Sequence, residues 1–536
     1  MASKLCLLFW FLLFHHQRPS MSSPILKYGC RPGTPQECKE AKFVPGHTLL
    51  GEGINIVTME ATGSFLLDLQ DAGEKCTVCD NPHNNNVLQK LPKAMADWRP
   101  GSSCSRSIQS SMSTVSVADE VTSVVQNDWT VGLDLNTHAV DIRRAVGGSQ
   151  SQVAQFANGK SVIDNYSFLS HKLECIYYSF RLGSNASLTP HFEKSLEELP
   201  DSYNAATKTE YRRLIDSFGT HYITHAKVGG RTQEVTAVRT CLVALDGLTI
   251  DDIMDCLAVE ADIGFEKGDN SKLERCKNKL TKPSLGGSFH RAFNERVWRV
   301  IGGNGTFDLL FSDKATADAF KKWMESLRSS PGLVSYSLDS IHNLVVMNNP
   351  KKENLRLAIS DYIKEKAVLE RCSCSGRRVI SKGNDCSCTC TASKYTSSDC
   401  CPTSLGVAKL HVTINSASLP RADFWSQTDA YVIFKFDGAS IRTKTILNTN
   451  DPTWNVQYDL GLVDLREGKS YTIEVWDEDH EYDDFMGKCE KVLRAGDTSD
   501  SCYVYSGSLR YSTSVTCADH LGGRYCQDYI PVPPSV

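Results

Sequence analysis

The thirty residues Cys372–Cys401, CSCSGRRVISKGNDCSCTCTASKYTSSDCC, hold seven cysteines and no apolar run. Such a segment has no side chains with which to build a hydrophobic core. Its order must come from cross-links, as in small growth-factor-like modules. Zinc is the alternative reading, because CSC and CSCTC supply close thiolates; the absence of C-x2-C pairs and an oxidising compartment weigh against it. Seven is an odd number, so one member pairs outside the knot. The candidates for bridging are Cys372, Cys374, Cys386, Cys388, Cys390, Cys400 and Cys401, with Cys241 as a distant partner.

The knot divides a chain of 536 residues, too long for one core, into an N-terminal region at 24–370, the cysteine-rich module at 371–402, a C-terminal region at 403–525 and a tail at 526–536. Ahead of them, residues 1–23 begin with one lysine and the ten apolar residues Leu5–Phe14. That run is too short to span a bilayer and suits the core of a signal peptide. No other stretch approaches eighteen uninterrupted apolar residues, so the expectation is a secreted chain without a transmembrane helix. Removing Cys6 leaves 21 - 1 = 20 cysteines, an even number suited to full pairing outside the cell. Sequons at Asn165, Asn185 and Asn304 agree with that compartment. A net charge of -5 argues against nucleic acid as a partner, and against binding anionic lipid by charge alone. Attachment to an anionic surface would need a bridging cation.

The stretch Val475–Gly487, VWDEDHEYDDFMG, packs four aspartates and two glutamates into Asp477–Asp484. Carboxylates about 4 Å apart repel by about 4 kcal/mol per pair at an effective dielectric near 20. The loop is therefore either well solvated or neutralised by a cation. Asp477, Asp479, Asp483 and Asp484 lie in the run, and a second pair, Asp423 and Asp429, flanks FWSQT before the strand-like AYVIFKF. Leu405–Asn415, Ala430–Phe436 and Ser470–Trp476 are β-branched and aromatic, with turn signals between them, which reads as an antiparallel sandwich. Two loops at one end of it would bring the six carboxylates together, and hard oxygen donors in flexible loops suit Ca2+ better than magnesium. Phe424, Trp425, Tyr482 and Phe485 sit beside them, placed to enter a bilayer interface.

The N-terminal region is mixed α+β. Glu193–Leu199, Thr209–Ser217 and Lys351–Arg371 carry helical spacing. Val259, Ala261, Ile263 and Phe265 alternate with charged residues as on one strand face, and Ile176, Tyr178, Phe180 and Leu182 repeat the pattern. Val131–Leu135 reads as a half-buried strand. Alternation of this kind fits either a soluble sheet or the lipid-facing stripe of a β-barrel. No GxSxG, HExxH or GxxxxGK[ST] motif is present, so the chain is not expected to be an enzyme; a calcium-activated lipase would lack its nucleophile motif. His221, a lone histidine after Gly-Thr, reads as structural.

The stretch Tyr211–Tyr222, YRRLIDSFGTHY, followed by Val228-Gly-Gly-Arg231, resembles the signature of the membrane-attack-complex/perforin (MACPF) family. The TDAYV and WDEDxxxxDD motifs make the C-terminal region similar to a C2 domain, the calcium-dependent lipid-binding sandwich. The order of MACPF domain, EGF-like module and C2 domain matches that family's pore-forming members. The resemblance implies a bent, twisted antiparallel sheet flanked by helical clusters. It implies docking on phospholipid through calcium, assembly of copies into arcs or rings, and refolding of two clusters into β-hairpins of one membrane barrel. By position those clusters fall near Gly148–Phe180 and Leu257–Val300. Arg213 and Asp339 are the expected contact between subunits. Storage in cytolytic granules, killing of target cells and passage of co-delivered granule proteases are further family expectations. The alternative is a non-lytic membrane-binding relative, favoured by the Asn165 sequon inside the first cluster.

Overall fold

The computed structural model describes residues 29–72, 75–111, 114–135, 146–184, 186–263, 271, 274–276, 278, 295–304, 317–346, 349–366, 379–380, 388–419, 427–505 and 507–532. Its N-terminal part is organised by β1 (Glu52–Asn55), β2 (Glu60–Phe65), β3 (Met95–Ser111), β4 (Tyr166–Leu182), β5 (His221–Arg239), β6 (Arg296–Ile301) and β7 (Gly332–Ser340). They form one open antiparallel sheet in the order β2-β1-β5-β4-β3. The far edge of β5 is shared: His221–Gly229 pairs with β7, whereas Arg231–Thr236 pairs with β6.

That change of partner falls on Gly229-Gly230. A Cβ on Gly229 would lie 2.0 Å from the Cys175 carbonyl oxygen, and one on Gly230 would lie 2.5 Å from the Leu327 methyls. The β4 register also slips here, between Ile176 and Tyr178. Register slips at this level in β3, β4 and β7 bend the sheet, and the two bare backbones admit the close approach of the Cys175 backbone and the Leu327 side chain. The disulfide Cys104–Cys175 ties β3 to β4 beside the bend.

The described helices include α1 (Thr114–Thr122), α2 (Gln152–Ser161), α3 (Lys208–Phe218), α4 (Ile250–Ile263), α5 (Ala317–Ser326) and α6 (Pro350–Glu365). In α3 the residues Tyr211, Leu214, Ile215 and Phe218 are buried at helical spacing, and Gly219 at φ +81° ends the helix.

Three expectations are corrected. The first helical cluster does not reach Phe180, since Tyr166–Leu182 is already β4; the described helices of that connection are α1 and α2, between β3 and β4. The segment from Val259 to Ile263 closes α4 instead of forming a strand, because Ile253, Cys256 and Leu257 just upstream supply a buried helical stripe. Phe265 lies outside the described residues. Val131–Leu135 is turn and irregular chain: Asp128 accepts from the Thr130 amide, and Gly132 adopts φ +81°.

The C-terminal part is a sandwich of two four-stranded antiparallel sheets. One holds β8 (Val407–Ser418), β11 (Thr453–Asp464), β14 (Gly496–Val504) and β15 (Gly507–Cys517), in the order β11-β8-β15-β14. The other holds β9 (Ala430–Phe436), β10 (Ala439–Arg442), β12 (Ser470–Asp477) and β13 (Asp484–Val492), in the order β10-β9-β12-β13. The strands expected at Leu405–Asn415, Ala430–Phe436 and Ser470–Trp476 lie within one to three residues of β8, β9 and β12. Cys489–Cys502 bridges the two sheets, and Val412, Ile414, Phe434, Ile473 and Leu509 fill the space between them.

Candidate functional site

Strand direction assembles the loops. Ala430 faces Asp477 across β9 and β12, and Asp477 faces Asp484 across β12 and β13. The segment entering β9 and the acidic loop after β12 therefore stand at the same end of the sandwich. The Asp429 amide donates to the Asp477 carboxylate at 2.5 Å, and Asp429 in turn accepts from the Asn448 amide. Asp483 accepts from the Asp479 amide at 3.3 Å and from the Tyr431 hydroxyl at 2.7 Å. Burial and the Asp483 carboxylate push the Tyr431 phenol up to about 12, so it remains a donor. Asp477 is buried, while Asp483 and Asp484 are exposed.

The donors are all carboxylate oxygens, the chemistry calcium selects. Among the described residues no three candidate ligands stand close enough together to hold an ion. Asp423, Phe424 and Trp425 lie outside the described residues. Tyr482 is 85% exposed and Phe485 39% exposed, the latter edge-on to Trp476 at 5.0 Å.

The Tyr211–Tyr222 stretch is a structural splice. The Tyr211 hydroxyl donates to the Pro200 carbonyl at 2.7 Å. Thr220 Oγ1 accepts from the Ile56 amide at 3.0 Å and donates to the Ile54 carbonyl at 3.2 Å, fastening the start of β5 to β1. His221 is fully buried, with its ring nitrogens 2.8 Å from Thr220 Oγ1 and 2.9 Å from the Trp129 carbonyl. Burial pushes its imidazole down to about 4.

Arg213 is exposed on α3 and makes no ion pair with Asp339 among the described residues. Asp339 accepts from the Tyr222 hydroxyl at 3.0 Å and from the Asn343 amide group at 2.8 Å, and lines a cleft with Asn127, Trp129 and Thr224. Cys241 is bonded to Cys401, and Cys390 to Cys400. Cys388 starts a two-residue strand, while Cys372, Cys374 and Cys386 lie outside the described residues. Asn304 is exposed, Asn165 is half-buried ahead of β4, and Asn185 is outside the described residues.

Residues 43–372 match the MAC/Perforin domain model, and residues 408–504 match the C2 domain model. The chain belongs to the MAC/Perforin family. It is 39% identical to Perforin-1 of Mus musculus, over 99% of this chain and 97% of the relative. It is 38% identical to Perforin-1 of Homo sapiens, over 94% and 93% respectively. Complement component C8 alpha chain of Oryctolagus cuniculus is 24% identical over 67% of this chain and 66% of its own length. The family assignment makes this a pore-forming, perforin-like chain that carries a C2 sandwich.

Proposed function

We propose that the chain is a secreted, calcium-dependent cytolytic protein that opens pores in target membranes. The observation that carries the reading is one chain holding both a MACPF sheet and a C2 sandwich, similar to Perforin-1 over almost its whole length. Residues 1–23 act as the signal peptide, 24–370 as the pore domain, 371–402 as an EGF-like module bridged by its cysteines, and 403–525 as the docking domain. Asp423, Asp429, Asp477, Asp479, Asp483 and Asp484 hold calcium against lipid head groups. Phe424, Trp425, Tyr482 and Phe485 enter the interface. Copies assemble into arcs or rings through Arg213 and Asp339, and the segments flanking α1–α2 and α4 refold into hairpins of a transmembrane barrel. Storage is in cytolytic granules, and granule proteases pass through the pore.

Dye release from phosphatidylcholine vesicles tests the proposal. Release that needs both calcium and Asp479, lost in Asp479→Ala, supports docking followed by pore formation. Calcium-dependent binding without release would favour the non-lytic alternative, which draws support from the half-buried Asn165 sequon just ahead of β4. Absence of binding in either condition would sink both readings for that lipid.

A further inference from the structure

Tyr503 and Tyr505 are each 81% exposed, among the most exposed large aromatics of the described residues. Val504 between them is buried and ends β14, so strand alternation turns Tyr503 away from the core, and Tyr505 stands exposed at the start of the turn. Their backing is rigid. Cys502 is bridged to Cys489 on the opposite sheet, and Gly487 packs so closely on Val504 that a Cβ there would lie 2.9 Å from Val504 Cβ.

The register fixes which end they occupy. Val504 faces Gly507 at the β14–β15 turn, and Ser508 faces Ser418 at the end of β8, where the chain departs toward Asp429. Tyr505 also meets Phe485 edge-on at 6.4 Å, and Phe485 meets Trp476 at 5.0 Å. An aromatic row thus runs from β12 over the start of β13 to the β14–β15 turn. From Ser501 to Leu509 no residue is charged.

We infer that Tyr503 and Tyr505 form a further membrane-contacting loop, which seats the sandwich in the interface of a zwitterionic bilayer beside the acidic loops. This rests on the calcium-dependent docking proposed above. The occupant is lipid because the two rings stand in an uncharged stretch at the tip, while exposed Arg510, on the same face as Tyr503 one pair further from the turn, would meet a lipid phosphate. Each tyrosine presents an apolar ring with a phenol tip, the form that settles at head-group level. The aromatic row also joins it to the other anchoring residues. These rings add an apolar contribution that no cation mediates, so they govern how long the protein stays bound after calcium has brought it down.

The test is cosedimentation of the full chain with phosphatidylcholine vesicles in calcium. Tyr503→Ser/Tyr505→Ser should bind about a hundredfold more weakly, roughly tenfold per ring, with an unchanged melting temperature. Tyr503→Phe/Tyr505→Phe should stay within a few-fold of wild type. A serine pair that binds like wild type while Asp479→Ala does not bind would overturn this inference and leave calcium docking intact. A serine pair that binds normally but no longer forms rings would also overturn it, by assigning the tyrosines to a subunit contact. A phenylalanine pair as weak as the serine pair would overturn the apolar account. Failure of the wild type to bind would remove the docking proposal itself.

Discussion

The two sheet systems bury different things. The C-terminal sandwich is sealed by apolar side chains such as Val412, Ile414, Phe434, Ile473 and Leu509. The half of the N-terminal sheet beyond Gly230 buries Ser167, Ser170, His171, Lys172, Arg231, Thr232, Gln233 and Glu234. Its helical cover combines a buried apolar stripe, Val117 and Val121 of α1 with Ile253 and Leu257 of α4, with polar contacts. Ser170 donates to Glu120 of α1, Lys172 Nζ reaches Ser123 Oγ at 3.0 Å, and Arg106 donates to the Ala258 carbonyl of α4 at 2.7 Å. Contacts of this kind exchange for water at small net cost, about 1 kcal/mol each, whereas stripping a sealed apolar core exposes each large side chain at about 2–3 kcal/mol. In the mechanism proposed above, a sandwich that only docks can be sealed, whereas a sheet whose cover leaves needs a surface that water can re-wet.

The largest effect that sharpens this contrast concerns glycine. Gly229→Ala would press a methyl into the Cys175 carbonyl oxygen, with backbone on both sides and nothing able to rotate away. We expect a loss of about 3–4 kcal/mol or outright misfolding. Gly438 in the sandwich, at φ +84° with nothing within 4 Å of a built Cβ, should cost only about 1 kcal/mol on conversion to alanine. Denaturant unfolding of the two variants checks this. Equal losses would mean that the bend tolerates a side chain and is not the constraint it is taken to be.

Next come the ion pairs. Arg296 meets Glu234 at 2.7 Å with both side chains largely covered, while Lys435 meets Glu474 at 2.7 Å with the lysine nearly half exposed. Arg296→Met strands a buried carboxyl and should cost about 3 kcal/mol. Lys435→Met, on the sandwich, should cost about 0.5 kcal/mol. If Arg296→Met proves nearly silent in the same unfolding assay, the sheet is already wet beneath its helices.

The same difference explains what could be read in advance. The strands of the sandwich show themselves because one face is apolar and the other polar, so Ala430–Phe436 coincides with β9 and Ser470–Trp476 falls one residue short of β12. The acidic run declares itself by a repulsion that needs an explanation. In β4 the residues Tyr166–Leu173 are buried on both faces, polar ones included, and alternation disappears. Position along the chain therefore puts the first helical cluster too far toward the C-terminus. Tyr503 and Tyr505 are illegible in the sequence for the opposite reason: an uncharged turn after a cysteine carries no local signal, and only the register with β8 brings it to the end that carries the acidic loop.

The smallest effect is the net response of stability to pH, because buried groups of the N-terminal sheet oppose one another. Burial holds His221 and His342 near 4, so between 6.5 and 4 the unfolded chain binds protons that the folded one refuses. Stability is lost there as pH falls. Burial pushes the Glu234 carboxyl up to about 7 in spite of Arg296, so between 4.5 and 7 the folded chain keeps a proton that the unfolded one has released. Stability is lost there as pH rises. From about pH 7 to about pH 5 each histidine subtracts about 2 kcal/mol and Glu234 returns a similar amount, leaving a net fall of about 1–2 kcal/mol. Urea midpoints at the two pH values resolve the parts. In His221→Gln the fall should vanish or reverse, and in Glu234→Gln it should grow to about 4 kcal/mol. If all three proteins responded alike, these groups would be titrating as they do in water, and their sites in the folded protein would already be hydrated.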